Sequence, residues 1–282
     1  MITYGHEEFI EQAIQSVLDQ VCNFDLELII ANDKSPDKTN DIVLKFLEID
    51  ENSRKIVYLN RLSNIGMMPN FLDALQRADG DYIAICEGDD FWTDNYKLQK
   101  QVDALEKNKN YSLCFHNSKV VYQNSDKKPY LFNDIDQKTT LYFDDLIERW
   151  QMATASMLFR NCIKHYPSWF SLQYNGDMAL QFLLIGYGPF LYLEDLMCVY
   201  RIHDKGISNT KNTAQISNIR SIIRLLEIID DHYNGEHHVS IKKHTQNLKK
   251  MMRNVSIKNK FPVLQKFRLF LKRTLMLIGD KL

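Results

Sequence analysis

The sequence is poor in several things that would otherwise explain a protein of its size. Its 282 residues include only five cysteines, Cys22, Cys86, Cys114, Cys162 and Cys198, with no CxxC or CxxH spacing among them. An odd, scattered set of thiols speaks against a disulfide framework or a zinc site, and fits buried cysteines in a reducing compartment. No stretch reaches the roughly eighteen consecutive apolar residues of a membrane span. The uncharged run Phe182–Leu193 is broken by Gly186, Gly188 and Pro189. The first residues also lack the basic region and apolar core of an export signal, so a cytoplasmic body is expected. Internal repeats and low-complexity tracts are absent too.

Net charge is close to zero, at -1, but unevenly spread. From Ile241 to Leu282 there are twelve Lys or Arg against one acid, Asp280. The preceding 240 residues are therefore acidic and the tail basic. Length and composition fit one large folded domain plus an appendage.

Short apolar runs and amphipathic stretches alternate over the first ninety residues. Met1–Tyr4 reads as the tail of a strand and Glu7–Gln20 as a helix, with Phe9, Ile10, Ala13, Ile14, Val17 and Leu18 on one side. Leu26–Ala31 and Lys55–Leu59 are further strands, each followed by a helix. Asp37 is placed to cap the first of those helices, and Pro69 lies in the first turn of the second. This alternation predicts parallel strands joined by right-handed crossovers. Beyond Trp92 the pattern gives a helix to Lys107, a strand over Tyr111–Tyr122, and a helix over Leu141–Trp150. A strand over Ala153–Phe159, a helix over Gly176–Ile185 and one or two strands over Phe190–Ile202 follow. From Ser217 onward everything reads as helix, and a boundary is expected near residue 210.

The fourth strand ends in three carboxylates within four residues, Glu87, Asp89 and Asp90. On an extended segment Glu87 and Asp89 share a face, and Gly88 permits a bend that turns Asp90. Such crowding suits a hard divalent cation at the carboxyl edge of an open α/β sheet. A solvated acidic turn is the plain alternative.

Taken together, Thr-Tyr-x-His-Glu from Thr3, the Ala-Ile-x-Ser-Val-Leu-x-Gln helix, Asn-Asp-x-Ser-x-Asp-x-Thr from Asn32, Asn-x-Gly from Asn64, Glu-Gly-Asp-Asp-x-Trp from Glu87 and Tyr-Arg-x-His from Tyr200 resemble the family 2 glycosyltransferases. The resemblance covers residues 1–210 and rests on the order of the set, since each motif is weak alone. It implies the GT-A fold, a Rossmann-like mixed sheet flanked by helices. A nucleotide-sugar half would occupy about residues 1–110 and an acceptor half about 111–210. Residues 211–282 would add a helical, basic C-terminal extension. The activity implied is inverting transfer from a nucleotide diphosphate sugar.

Carried over motif by motif, Thr3, Tyr4 and Glu7 fall by the nucleotide, and Asp33 matches the aspartate that reads the base. A carboxylate accepts the imide N–H of uracil, which favours a UDP-sugar. Asn64 and Gly66 would also meet the donor. Glu87, Asp89 and Asp90 resemble the family's DxD element, with Glu in place of the first Asp. The resemblance does not decide whether Asp89 serves the ribose with Asp90 on the metal, or Asp89 serves both. His203 would complete the shell of a Mn2+ or Mg2+ ion, imidazole suiting Mn2+ better. Arg201 would pair with the diphosphate. Asp177, in Asn-Gly-Asp where the family often has Glu-Asp, would be the general base. Helix capping is its plain alternative. Trp92, Trp150 and Trp169 are candidate sugar platforms, though core packing suits each better.

The tail from Lys242 to Lys281 alternates cations with apolar residues such as Phe261, Leu264, Phe267, Leu271 and Leu275. This predicts an anionic membrane surface or an acidic partner, and argues against nucleic acid. Lipid-linked or glycan acceptors in cell-surface polysaccharide assembly follow from the resemblance. Family members usually enter the first motif through a longer strand, so either an upstream start or an impaired version is expected. Two other classes compete. A sugar nucleotidyltransferase would want a Gly-rich basic loop where Thr3–Glu8 is acidic, and a non-catalytic relic would bind donor without turning it over.

Overall fold

A computed structural model describes residues 1–49, 55–133, 137–204, 206 and 212–260. The chain divides into two compact units, Met1–Asn209 and Thr210–Leu282.

The first unit opens with β1 (Ile2–Thr3), α1 (Ile10–Leu18), β2 (Glu27–Asn32), α2 (Thr39–Ile49), β3 (Lys55–Asn60) and α3 (Met67–Gln76). Helix α1 buries Ile10, Ala13, Ile14 and Val17, the i, i+3, i+4, i+7 stripe of a helix lying on a core. Strands β1, β2 and β3 are parallel and adjacent in that order, as the alternation predicts. Asp37 Oδ1 accepts from Thr39 N at the head of α2, and its Oδ2 accepts from Glu7 N. One carboxylate thus tethers two loops.

The acidic strand departs from expectation. After β4 (Tyr82–Ala84) and β5 (Phe91–Trp92) come α4 (Lys97–Lys107), β6 (Leu113–Tyr122), β7 (Tyr130–Leu131), β8 (Thr140–Leu141), α5 (Phe143–Glu148), β9 (Leu158–Arg160), α6 (Gly176–Leu184) and β10 (Phe190–Ile202). Strand β4 pairs antiparallel with β9, in a second sheet ordered β4-β9-β6-β10-β5. The two sheets meet at β1, where Gly88 N donates to Ile2 O at 3.0 Å. Two residues of β1 are too few to hold a continuous ladder on both edges. Beside it, β2 and β4 wall an apolar cavity of about 290 Å³ that Leu28, Ala74, Ile83 and Trp92 help to line.

The expected strand over Ala153–Phe159 begins instead as a 3-10 turn, Thr154–Ser156. There the Ser156 hydroxyl donates to Ala153 O at 2.7 Å, a local bond that competes with a sheet ladder. Strand β10 is one thirteen-residue element, parallel to β6 with register breaks between Leu193 and Cys198. On its other edge β5 runs antiparallel, Cys198 opposite Trp92 and Val199 opposite Phe91. That register carries the end of β10 back alongside the acids that precede β5.

The second unit holds α7 (Asn212–His232) and α8 (His238–Lys260), packed on each other. Helix α8 carries Lys242, Lys243, Lys249, Lys250 and Arg253. The apolar residues Phe261, Leu264, Phe267, Leu271 and Leu275 lie outside the described residues. No described helix is long and apolar enough to cross a membrane.

Candidate active site

The ends of β1, β2 and β10 and the turn before β5 enclose a cavity of about 230 Å³. Thr3, Tyr4, Asp33, Asn64, Glu87, Asp89, Arg201 and His203 all line it. Residues 170 positions apart therefore share one hollow because β1 sits between β2 and the Glu87 turn. The β5–β10 pairing delivers Arg201 and His203 from the far side.

At the acidic end, His203 Nε2 lies 3.0 Å from Asp89 Oδ2. His6 Nε2 lies 3.7 Å from the same oxygen. Burial raises the Asp89 carboxyl, but the hydrogen bond from His203 and the nearby imidazoles outweigh it and hold Asp89 below its ordinary value. Ligand atoms of His6, Asp89 and His203 all fall within 4.8 Å of one another, so this donor set suits one divalent ion. Gly88 matters here because it has no side chain. A Cβ would stand 2.7 Å from Thr3 Oγ1 and 2.9 Å from His6 Nδ1, closing the space in which these groups meet. Its φ is not in the left-handed region among the described residues, so close approach rather than an unusual bend is what selects glycine.

Asp90 is not brought to this set. It is 1 % exposed, and its Oδ1 accepts from Arg201 N at 2.8 Å. Burial, then the charges of Asp89 and Glu87, push its carboxyl well above the usual range. The turn closed by Asp90 N donating to Glu87 O sends it into the protein, where it fastens β10 to the turn. Arg201 lines the cavity, yet its guanidinium donates to Asp89 O at 2.7 Å and to Gln12 Oε1, with the Phe91 ring 4.3 Å away. These bonds brace the Asp89 backbone. Glu87 is pushed up to about 8 by burial, then by Asp89 and Asp177, and Thr154 hydrogen-bonds it.

Asp33 is buried and already accepts from Ile65 N at 2.7 Å and Gly66 N at 2.9 Å. The carboxylate thereby holds the loop that carries Asn64, whose Oδ1 also accepts from Gly66 N. Each Asp33 oxygen keeps a further lone pair for a ligand. Thr3 is buried and Tyr4 half exposed. Glu7 lies away from the cavity, its Oε2 accepting from Lys38 N at 3.1 Å.

Asp177 is in the first turn of α6, its carboxyl raised by burial despite backbone bonds and a hydrogen bond from Trp150. Its charge is felt at Glu87, although Asp177 is not among the residues that line the cavity. Gly176, where the resemblance leads one to expect Glu, meets Met68: a Cβ would lie 2.3 Å from Met68 Sδ. Met68 fills that space in this chain. Trp92 is core, donating to Ala155 O beneath Lys97. Trp150 is 43 % exposed beside Asp177, edge-on to Phe132 and Tyr200.

His6 is the functional candidate that sequence reasoning passed over. It was visible only as the fourth residue of a motif read for Thr3, Tyr4 and Glu7. Nothing in spacing alone places it beside Asp89.

The chain is 34% identical over 216 residues to the uncharacterized protein Rv1520 of Mycobacterium tuberculosis, covering 75% of this chain and 60% of that protein. The chain thus spans about 60% of the length of that relative. It is 29% identical over 221 residues to the putative teichuronic acid biosynthesis glycosyltransferase TuaG of Bacillus subtilis, covering 74% of this chain and 80% of TuaG. The structure superposes on the crystal structure of S. aureus TarS 1-349 in complex with UDP with a TM-score of 0.56. That match covers 80% of this chain and 63% of TarS at 15% identity, and with the mixed sheet it shows the GT-A fold. Residues 1–166 match the family model for glycosyl transferase family 2, and the chain belongs to that family.

Proposed function

We propose that this glycosyltransferase moves a sugar from a UDP-sugar, with inversion, to a glycan or lipid-linked acceptor in cell-surface polysaccharide assembly. The observation that carries the reading is the shared cavity, which Asp33 and the hydrogen-bonded Asp89–His203 pair both line. A nucleotide reaching across it would set its base by Asp33 and its pyrophosphate by Asp89. A diphosphate carries two to three negative charges, which carboxylates repel unless a cation intervenes. Asp89 and His203 would hold a Mn2+ or Mg2+ ion, which when bound anchors the diphosphate and offsets the charge that develops on it. Asp90 and Arg201 brace Asp89 from behind.

Transfer with inversion needs one general base on the acceptor side. Asp177 fills that role in this reading, its raised carboxyl a better proton acceptor than an ordinary aspartate. Trp150, exposed and bonded to Asp177, offers the acceptor sugar an aromatic face. TuaG's place in teichuronic acid biosynthesis and the UDP bound to TarS support the substrate class. The body would be cytoplasmic and the basic helix α8 would rest on an anionic membrane, which co-sedimentation with anionic vesicles tests.

The first experiment is a thermal-shift screen of nucleotide-sugars with Mn2+. A UDP-sugar that raises Tm and is slowly hydrolysed to UDP supports the reading. Stabilisation without turnover would point to a binding relic. Stabilisation by a nucleoside triphosphate with sugar phosphate would favour a nucleotidyltransferase.

A further inference from the structure

Resting on the metal-dependent reading above, we propose that His6 is a third protein ligand of the cation, and that the resulting set of two imidazoles and one carboxylate selects Mn2+ over Mg2+.

The argument begins with distance. Ligand atoms around one first-row ion lie roughly 2.0–2.2 Å from it, so adjacent ligands stand about 3 Å apart and opposite ones a little over 4 Å. Asp89 Oδ2 to His203 Nε2 is 3.0 Å, Asp89 Oδ2 to His6 Nε2 is 3.7 Å, and the three residues' ligand atoms span no more than 4.8 Å. Small side-chain shifts gather them on one ion.

Preorganisation is the second step. The His6 backbone is fixed on three sides: its N–H donates to Thr39 Oγ1 at 3.0 Å, and its carbonyl accepts from Phe9 N and Ile10 N, each at 2.9 Å. On the ring, Nδ1 is paired with Thr3 Oγ1 at 3.2 Å, which turns Nε2 toward Asp89. This outer bond is the usual device for orienting a ligating imidazole. His203 stands edge-on, its ring centroid 6.1 Å from that of His6 and 4.8 Å from Phe9. The absent side chain of Gly88 gives the Thr3–His6 pair its room.

The chemistry follows from the donors. Mg2+ prefers oxygen and keeps most of its water, whereas first-row transition ions, Mn2+ among them, accept imidazole nitrogen more readily.

The test counts nitrogens directly. Mn2+ is titrated into the full chain with saturating UDP, and electron spin-echo modulation of the bound ion resolves coupled 14N nuclei. Two nitrogens in the wild-type protein are expected, falling to one in His6→Ala and in His6→Asn. Mn2+ affinity should weaken about tenfold or more in both. A tenfold excess of Mg2+ should leave wild-type Mn2+ in place. One nitrogen in the wild-type protein would remove His6 from the shell while leaving a metal-assisted transferase standing. Failure of Mn2+ to bind with UDP present would overturn both. Wild-type spectra decide the matter even if a variant folds poorly.

Discussion

His203 Nε2 and Asp89 Oδ2 stand 3.0 Å apart although 114 residues separate them in sequence. The antiparallel pairing of β5 with β10 makes that contact, and the bond from Arg201 N to Asp90 Oδ1 locks it. The site is therefore a property of sheet register. Substituting either partner should cost donor handling far more than stability.

Asp89→Asn and His203→Ala are expected to weaken Mn2+-dependent UDP binding by about 10- to 100-fold, with Tm little changed. Calorimetric titration of UDP with and without Mn2+ checks this. Arg201→Lys should produce a milder version of the same loss, because a lysine cannot reach both Asp89 O and Gln12 in one plane.

Asp177→Asn should leave UDP-sugar affinity nearly intact and slow transfer by about 10²- to 10⁴-fold. Burial raises the Asp177 carboxyl above its ordinary value, and a base works only when ionised. Activity should accordingly fall as pH drops through a pKa above the usual aspartate range, and single-turnover rates against pH would show that limb. Equal loss of binding and transfer in the variant would assign Asp177 to donor binding.

Asp33→Asn tests two roles at once. Both carboxylate oxygens accept backbone amides, so replacing one with an NH₂ group should destabilise the Asn64 loop by about 1–3 kcal/mol. Preference for UDP over CDP should also shrink. Lost stability with unchanged nucleotide preference would make Asp33 a loop anchor alone.

Lys97 is fully buried, its Nζ donating to Gln101 Oε1 above the Trp92 ring, and burial pushes its ammonium down to about 8. The unfolded chain binds a proton that the folded chain lacks between pH 8 and the ordinary lysine value of 10.5, so this group adds stability as pH rises through that window. Below it the buried charge costs on the order of 3 kcal/mol. Lys97→Met should raise stability at pH 7 by about 1–3 kcal/mol and flatten the slope above pH 8, as read by urea melts across pH. A variant with the wild-type slope would contradict this assignment.

Much of the fold was legible because periodicity reports burial. Helix α1 announced itself by Ile10, Ala13, Ile14 and Val17, and strands β2 and β3 by unbroken apolar runs. Pairing partners were less legible. Nothing in Tyr82–Ala84 shows that it pairs antiparallel with Leu158–Arg160, since an apolar triplet fits either direction. Among site residues, Thr3, Tyr4, Asp33, Asn64, Glu87, Asp89, Arg201 and His203 do line one cavity. Their division of labour was hidden. Side-chain direction after Gly88 sends Asp90 inward, Arg201 is consumed by Asp89 O and Gln12, and Glu7 is spent on Lys38 N. His6 is brought to Asp89 by its fixed backbone and by the Thr3 contact on its ring.

The central claim is that a cation held by Asp89 and His203 grips the donor's pyrophosphate. The dissociation constant of UDP, measured on the wild-type chain in Mn2+ and again in excess EDTA, tests it most directly. Affinity should fall about 10-fold or more on chelation, and the difference should vanish in His203→Ala. Equal UDP affinity in Mn2+ and EDTA would contradict it.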